Sequence, residues 1–152
     1  GCKAIVIACN TATAAALGIT LSGASGSSSG SSGGSVTSSD LNLLARVVYG
    51  EARGEAYVGQ VAVAAVVLNR VESASFPNTI AGVVYQSGAF DCVADGQINL
   101  TPDSTAVKAA QDALNGWDPT YGCLFYYNPA TATSAWMLSR PVKLAIGNHN
   151  FC

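Results

Sequence analysis

Glu51 is the residue around which chemistry can be built. Leu41, Leu44 and Val48 recur three and four positions apart, which is one face of an α-helix, and Glu51 follows Val48 on the same stripe. A carboxyl group on a buried helix face is poorly hydrated, which favours its protonated form. A carboxylic acid that keeps its proton near neutral pH can pass it to a leaving group. The competing reading is a helix-end carboxylate in a structural ion pair with Arg46 or Arg53. Gly50 and Gly54 flank the acid; both leave room for a ligand near the backbone, and Gly54 also suits a helix end. Glu55 lies one turn further on the same side and is a candidate second acid.

Aromatic and amide side chains gather in the second half of the chain: Phe90, Gln97, Trp117, Phe125, Tyr126, Tyr127, Asn128, Trp136, Asn148 and His149. Rings that stack on the apolar faces of sugars, beside amides that bond their hydroxyls, make a saccharide cleft. Taken singly, each Trp or Tyr also fits a core position with its polar end satisfied. Glycoside cleavage commonly pairs an acid with a second carboxylate, for which Glu55, Asp91 and Asp95 are candidates. One carboxyl group suffices for a muramic acid ring, whose own C6 hydroxyl can attack C1 and close a 1,6-anhydro sugar. His149, the only histidine, is a candidate cleft residue and could serve as general base or metal ligand. With a single His and no CxxC pair among the five cysteines, no metal site is expected.

Composition limits the partners. The chain has 152 residues, enough for one domain with a core; 49% are hydrophobic, 11% are charged and the net charge is -2. The seven Lys and Arg are scattered, so no nucleic acid partner is expected, and a neutral polymer or small polar substrate fits better. The run 4–21 is broken by Asn10 and threonines and makes a poor membrane span, although with Lys3 ahead of it the run faintly resembles a signal peptide. The chain opens on Gly1 rather than Met, as a processed fragment does. In an exported chain, one disulfide among Cys92, Cys123 and Cys152 is open, with the pairing unreadable; otherwise the cysteines read as small buried hydrophobes.

Residues 22–35 are almost wholly Ser and Gly and read as a linker, which divides a leader, 1–21, from a folded unit, 36–152. Ser38, Ser39 and Asp40 start a helix over about 39–53. Residues 57–71 are apolar nearly all round, with Gln60 and Asn69 as polar exceptions, and read as a central buried helix. A short helix over 77–85 opens on Pro77, and 86–100 is an irregular, Gly-bearing loop of the kind that carries binding groups. A helix capped by Thr101-Pro102-Asp103 runs to Leu114, presents Ala106, Ala109, Ala110 and Ala113 on one face, and ends at Asn115-Gly116. Residues 123–129 and 135–138 read as short strands, and 146–151 as a third. The expected fold class is α+β, mostly helical, with a small antiparallel sheet.

Two resemblances to known families stand beside these readings. Lys3-Ala4-Ile5-Val6-Ile7-Ala8-Cys9-Asn10-Thr11-Ala12 resembles the first cysteine motif of the glutamate and aspartate racemases, with Cys9 at the thiol position. Nothing further along the chain matches that family, so no racemase activity is expected. From about residue 40 onward the chain resembles the SleB/CwlJ-like cell wall hydrolases. The resemblance rests on Leu43-Leu44-Ala45-Arg46-Val47-Val48-Tyr49-Gly50-Glu51-Ala52-Arg53-Gly54-Glu55, on 59–71, on Phe76-Pro77-Asn78-Thr79-Ile80, on 85–90, on Tyr126-Tyr127-Asn128-Pro129 and on Gly147-Asn148-His149-Asn150-Phe151.

This second resemblance implies a lysozyme-like lobe and a lytic transglycosylase that acts on spore cortex peptidoglycan carrying muramic δ-lactam during germination. The family's catalytic glutamate falls on Glu51. Glu55, Gln97, Tyr127, Asn128 and His149 are the expected substrate-binding residues. The resemblance implies an exported monomer of the spore cortex or cell envelope, whose partner is the glycan strand, with no cofactor. The export signal and peptidoglycan-binding domain that precede the catalytic domain in full-length relatives are not recognisable in 1–35. A non-catalytic peptidoglycan-binding module and a hydrolase that uses water are the alternatives.

Overall fold

The computed structural model describes residues 36–152; the expected leader, 1–21, and linker, 22–35, lie outside the described residues. Helix α1 spans Ser38–Ala52. Its start is set by a capping box one residue earlier than Ser38: Thr37 Oγ1 accepts from the Asp40 amide at 3.1 Å, and Asp40 Oδ2 accepts from the Thr37 amide at 2.9 Å. Such a cap contributes about 1 kcal/mol. The helix stops where Gly54 takes a φ of +94°, a conformation that side chains with a Cβ rarely adopt.

Helix α2, Tyr57–Glu72, is the expected central helix: Gly59 through Leu68 are all buried. Helix α5, Ser104–Leu114, is capped by Asp103, and the predicted alanine face of Ala106, Ala109, Ala110 and Ala113 is buried. Small side chains on that face let α5 approach α1 and α2 closely, and these three helices form the main packing unit. No helix among the described residues is long and apolar enough to cross a membrane.

Helix α3 covers only Ile80–Val84, because Thr79 rather than Pro77 supplies the cap, accepting from the Gly82 amide at 3.0 Å. The expected loop over 86–100 contains a one-turn helix α4, Asp91–Ala94, and a 3-10 turn, Gln97–Asn99.

The second half departs from expectation at three elements. Residues 135–138 form no strand; they lie in helix α6, Ala135–Ser139. Ser134 Oγ caps it by accepting from the Met137 amide at 3.2 Å, and the turn buries Met137 while Trp136 and Leu138 stay exposed. Strand β1, Tyr126–Tyr127, is shorter than the predicted segment. The predicted third strand is a hairpin of β2, Leu144–Ile146, and β3, His149–Phe151. The sheet order is β1-β3-β2, all antiparallel, with Tyr126 opposite Phe151 and Ile146 opposite His149.

Candidate active site

Glu51 sits in the last turn of α1 and is 7% exposed, the only buried acidic side chain among the described residues. Both carboxyl oxygens are held. Oε1 accepts from the Tyr126 hydroxyl at 2.6 Å, and Oε2 accepts from the Cys92 amide at 2.9 Å. Tyr126 comes from β1 and is fully buried. The Cys92 amide belongs to the first turn of α4, where helix amides have no intrahelical acceptor. No side chain caps α4 at Phe90, so Glu51 fills that role from a distant helix. Three elements thus converge on one carboxyl group.

Gly50 makes the convergence sterically possible. A Cβ there would lie 2.7 Å from Cys92 Cβ, so only glycine lets α4 lie this close to α1. This corrects the expectation that Gly50 leaves room for a ligand: Cys92 occupies that space. Burial, reinforced by the charge of Glu51 beside it, pushes the Cys92 thiol far above its ordinary value and keeps it protonated.

The ion-pair reading of Glu51 does not hold. Arg46 bonds Asn42 Oδ1 at 2.7 Å and the carbonyls of Ile98 and Leu100. Arg53 lies over the Tyr49 ring and bonds Gln97 Oε1 at 2.6 Å. Cys92, Cys123 and Cys152 are free thiols, so the disulfide left open by the sequence is not formed.

The expected substrate-binding residues divide into two groups. His149 is brought towards Glu51: it is 3% exposed and stands edge-on to the Tyr126 ring, centroids 5.1 Å apart. Burial lowers its pKa, opposed by the charges of Glu55 and Glu51. Gln97 is half-buried near Gly50, with its amide nitrogen bonded to Asp95 Oδ2 at 2.8 Å and its oxygen to Arg53. Glu55 is fastened to the β2–β3 turn, accepting from the Asn148 amide at 3.2 Å and from Asn148 Nδ2 at 3.0 Å. Strand alternation sends Tyr126 to Glu51 and Tyr127 to the opposite face, where its hydroxyl accepts from Asn150 Nδ2 at 3.4 Å. Asn128 is engaged in its own turn, Oδ1 accepting from the Ala130 amide at 2.9 Å.

Of the predicted sugar-stacking aromatics, Phe90 and Phe125 are core, whereas Trp117 and Trp136 are exposed. Tyr126 belongs to the predicted aromatic cluster, but its bond to Glu51 is not visible in the sequence. The two residues are 75 positions apart, and no local spacing encodes the contact.

A sequence model of the family described as Cell Wall Hydrolase matches residues 54–152. The Spore cortex-lytic enzyme of Bacillus cereus (strain ATCC 14579) is 61% identical over 116 residues, covering 76% of this chain and 45% of that protein. The Spore cortex-lytic enzyme of Bacillus subtilis (strain 168) is 56% identical over 119 residues, covering 78% of this chain and 39% of that protein. The chain therefore spans less than half the length of these two relatives. The crystal structure of the catalytic domain of the Bacillus cereus SleB protein superposes with a TM-score of 0.74 at 60% identity, covering 78% of this chain and 92% of that one. The catalytic domain of the germination-specific lytic transglycosylase SleB from Bacillus anthracis gives 0.73 at 60% identity, covering 76% of this chain and 95% of that one.

Proposed function

The chain belongs to the cell wall hydrolase family, and from that premise we propose that residues 36–152 are a catalytic domain that cuts spore cortex peptidoglycan as a lytic transglycosylase. The bond cut joins C1 of N-acetylmuramic acid to O4 of N-acetylglucosamine. Glu51 donates its proton to that bridging oxygen, and the N-acetylglucosamine end leaves as an alcohol. The resulting Glu51 carboxylate then takes the proton of the muramic C6 hydroxyl as O6 bonds to C1. The product is a 1,6-anhydromuramoyl end, Glu51 regains its proton, and no water is consumed. The sugar supplies its own nucleophile, so the cycle closes without a metal or organic cofactor. The protein works as an exported monomer on the δ-lactam-bearing glycan strand, in germination.

The observation that carries this reading is the state of Glu51: buried, with both oxygens held by neutral donors. Those donors fix the carboxyl in one orientation and stabilise it after proton transfer. Two candidates for a second carboxylate are engaged elsewhere, Glu55 with Asn148 and Asp95 with Gln97. Asp91, the third candidate, opens α4 directly beside Cys92 and also has a partner of its own, so a hydrolytic reading would have to draw it out of that contact.

The test is digestion of cortex sacculi followed by borohydride treatment and mass analysis. Released muropeptides that take up no hydrogen on reduction support the lytic reaction. Reducible ends would move the reaction to hydrolysis, and sacculi that bind the protein but release nothing would make it a binding module.

A further inference from the structure

Arg70, near the end of α2, is fully buried. Its Nε donates to the Leu124 carbonyl at 2.7 Å. The guanidinium carbon lies over three phenylalanine rings: Phe76 at 5.0 Å, Phe125 at 5.1 Å and Phe90 at 5.3 Å. Nη1 and Nη2 are buried and make no hydrogen bond among the described residues. Aromatic faces compensate a buried cation only in part, and an apolar side chain of similar volume commonly serves stability as well or better. The charge therefore calls for a role other than filling the core.

Its contacts point to that role. Leu124 and Phe125 directly precede Tyr126, and Phe90 stands two residues before Cys92. One guanidinium thus grips both segments that deliver donors to Glu51. Burial lowers the Arg70 pKa to about 10, opposed by the neighbouring Tyr126 and Glu51 side chains, so the group stays cationic at neutral pH.

We propose that Arg70 is a positioning residue of the catalytic centre, clamping 90–92 against 124–126 so that the Cys92 amide and the Tyr126 hydroxyl meet Glu51 together. Its fixed positive charge also steadies the Glu51 carboxylate in the half of the cycle after the proton has left. The proposal rests on the reading of Glu51 as the acid and base.

The test compares wild type, Arg70→Met and Arg70→Lys by thermal midpoint, affinity for soluble cortex glycan fragments, kcat, and the amide proton shift of Cys92. Arg70→Met is expected to fold, bind fragments within about threefold of wild type and lose about 100-fold in kcat, as a small misplacement of catalytic groups does. Its Cys92 amide should move upfield as the bond to Glu51 lengthens, while amides of α5 stay in place. Arg70→Lys keeps the charge without the planar fork and should recover part of the kcat. Arg70→Met with wild-type kcat and an unmoved Cys92 amide overturns the proposal, as does a kcat loss matched by equal loss of affinity. If Arg70→Met does not fold, Arg70→Lys decides: wild-type kcat with an unmoved amide overturns the clamp. Should the wild type show no turnover, the reading of Glu51 fails, and the Cys92 amide still reports on the clamp.

Discussion

Glu51 and Glu55 stand one helical turn apart in sequence and live in different environments. Glu51 is at the interior end of α1, held by a tyrosine hydroxyl and a helix-start amide. Glu55 is past the helix end, partly exposed, and bonded twice to Asn148 in the β2–β3 turn. Gly54, with its positive φ, separates them by ending the helical register between the two. The same functional group is therefore a candidate acid in one place and a fastener between the α1–α2 loop and the hairpin in the other. Chemical type does not assign the roles; water access and the partners of each oxygen do.

Four experiments probe this contrast. Glu51→Gln keeps the volume and removes the transferable proton, so muropeptide release should fall by about 10²–10⁴-fold with the circular dichroism spectrum retained. Tyr126→Phe leaves a buried carboxyl oxygen without its donor; stability should drop by about 1–3 kcal/mol in urea denaturation, and turnover by roughly tenfold or more. Glu55→Gln keeps an acceptor for Asn148 but loses the charge, so we expect about 1 kcal/mol less stability and turnover within roughly twofold of wild type. A large turnover loss here with normal stability would erase the distinction between the two glutamates.

The smallest effect is a pH dependence from His149. Burial depresses its folded pKa below the ordinary 6.5, so below that pH the unfolded chain binds a proton that the folded chain refuses. The His149 contribution is fully present above pH 6.5 and is lost as pH falls towards the folded value. Urea midpoints at descending pH should show a shallower decline in His149→Gln than in wild type, by at most about 1.4 kcal/mol per pH unit. An unchanged slope would mean that His149 titrates normally in the fold.

Glu51 was legible because an apolar stripe of Leu41, Leu44 and Val48 points a carboxylate inward, and periodicity is a local signal. The alanine face of α5 and the central α2 were legible for the same reason. Residues 135–138 read as strand because four apolar residues carry no decisive period, although Ser134 ahead of them is a helix-start signal. The hairpin over 144–151 was compressed into one strand because Gly147-Asn148, the turn signal, was read within it. Tyr126, the Cys92 amide and Arg70 were illegible as a group: each reaches its partner across more than 40 residues, and an arginine near a helix end ordinarily reads as a surface residue. The part of the site set by one helix could be read in advance; the part set by tertiary convergence could not.

In the proposed reaction one carboxyl group, Glu51, serves as acid and then base while the sugar supplies the nucleophile. Digestion of cortex peptidoglycan in water enriched in oxygen-18, with the products weighed, tests it most directly. Newly formed ends should be unlabelled 1,6-anhydromuramoyl groups, because no solvent oxygen enters the product. Oxygen-18 at C1 of newly formed muramic ends would contradict it and direct attention to Asp91 beside Cys92 as a second carboxylate.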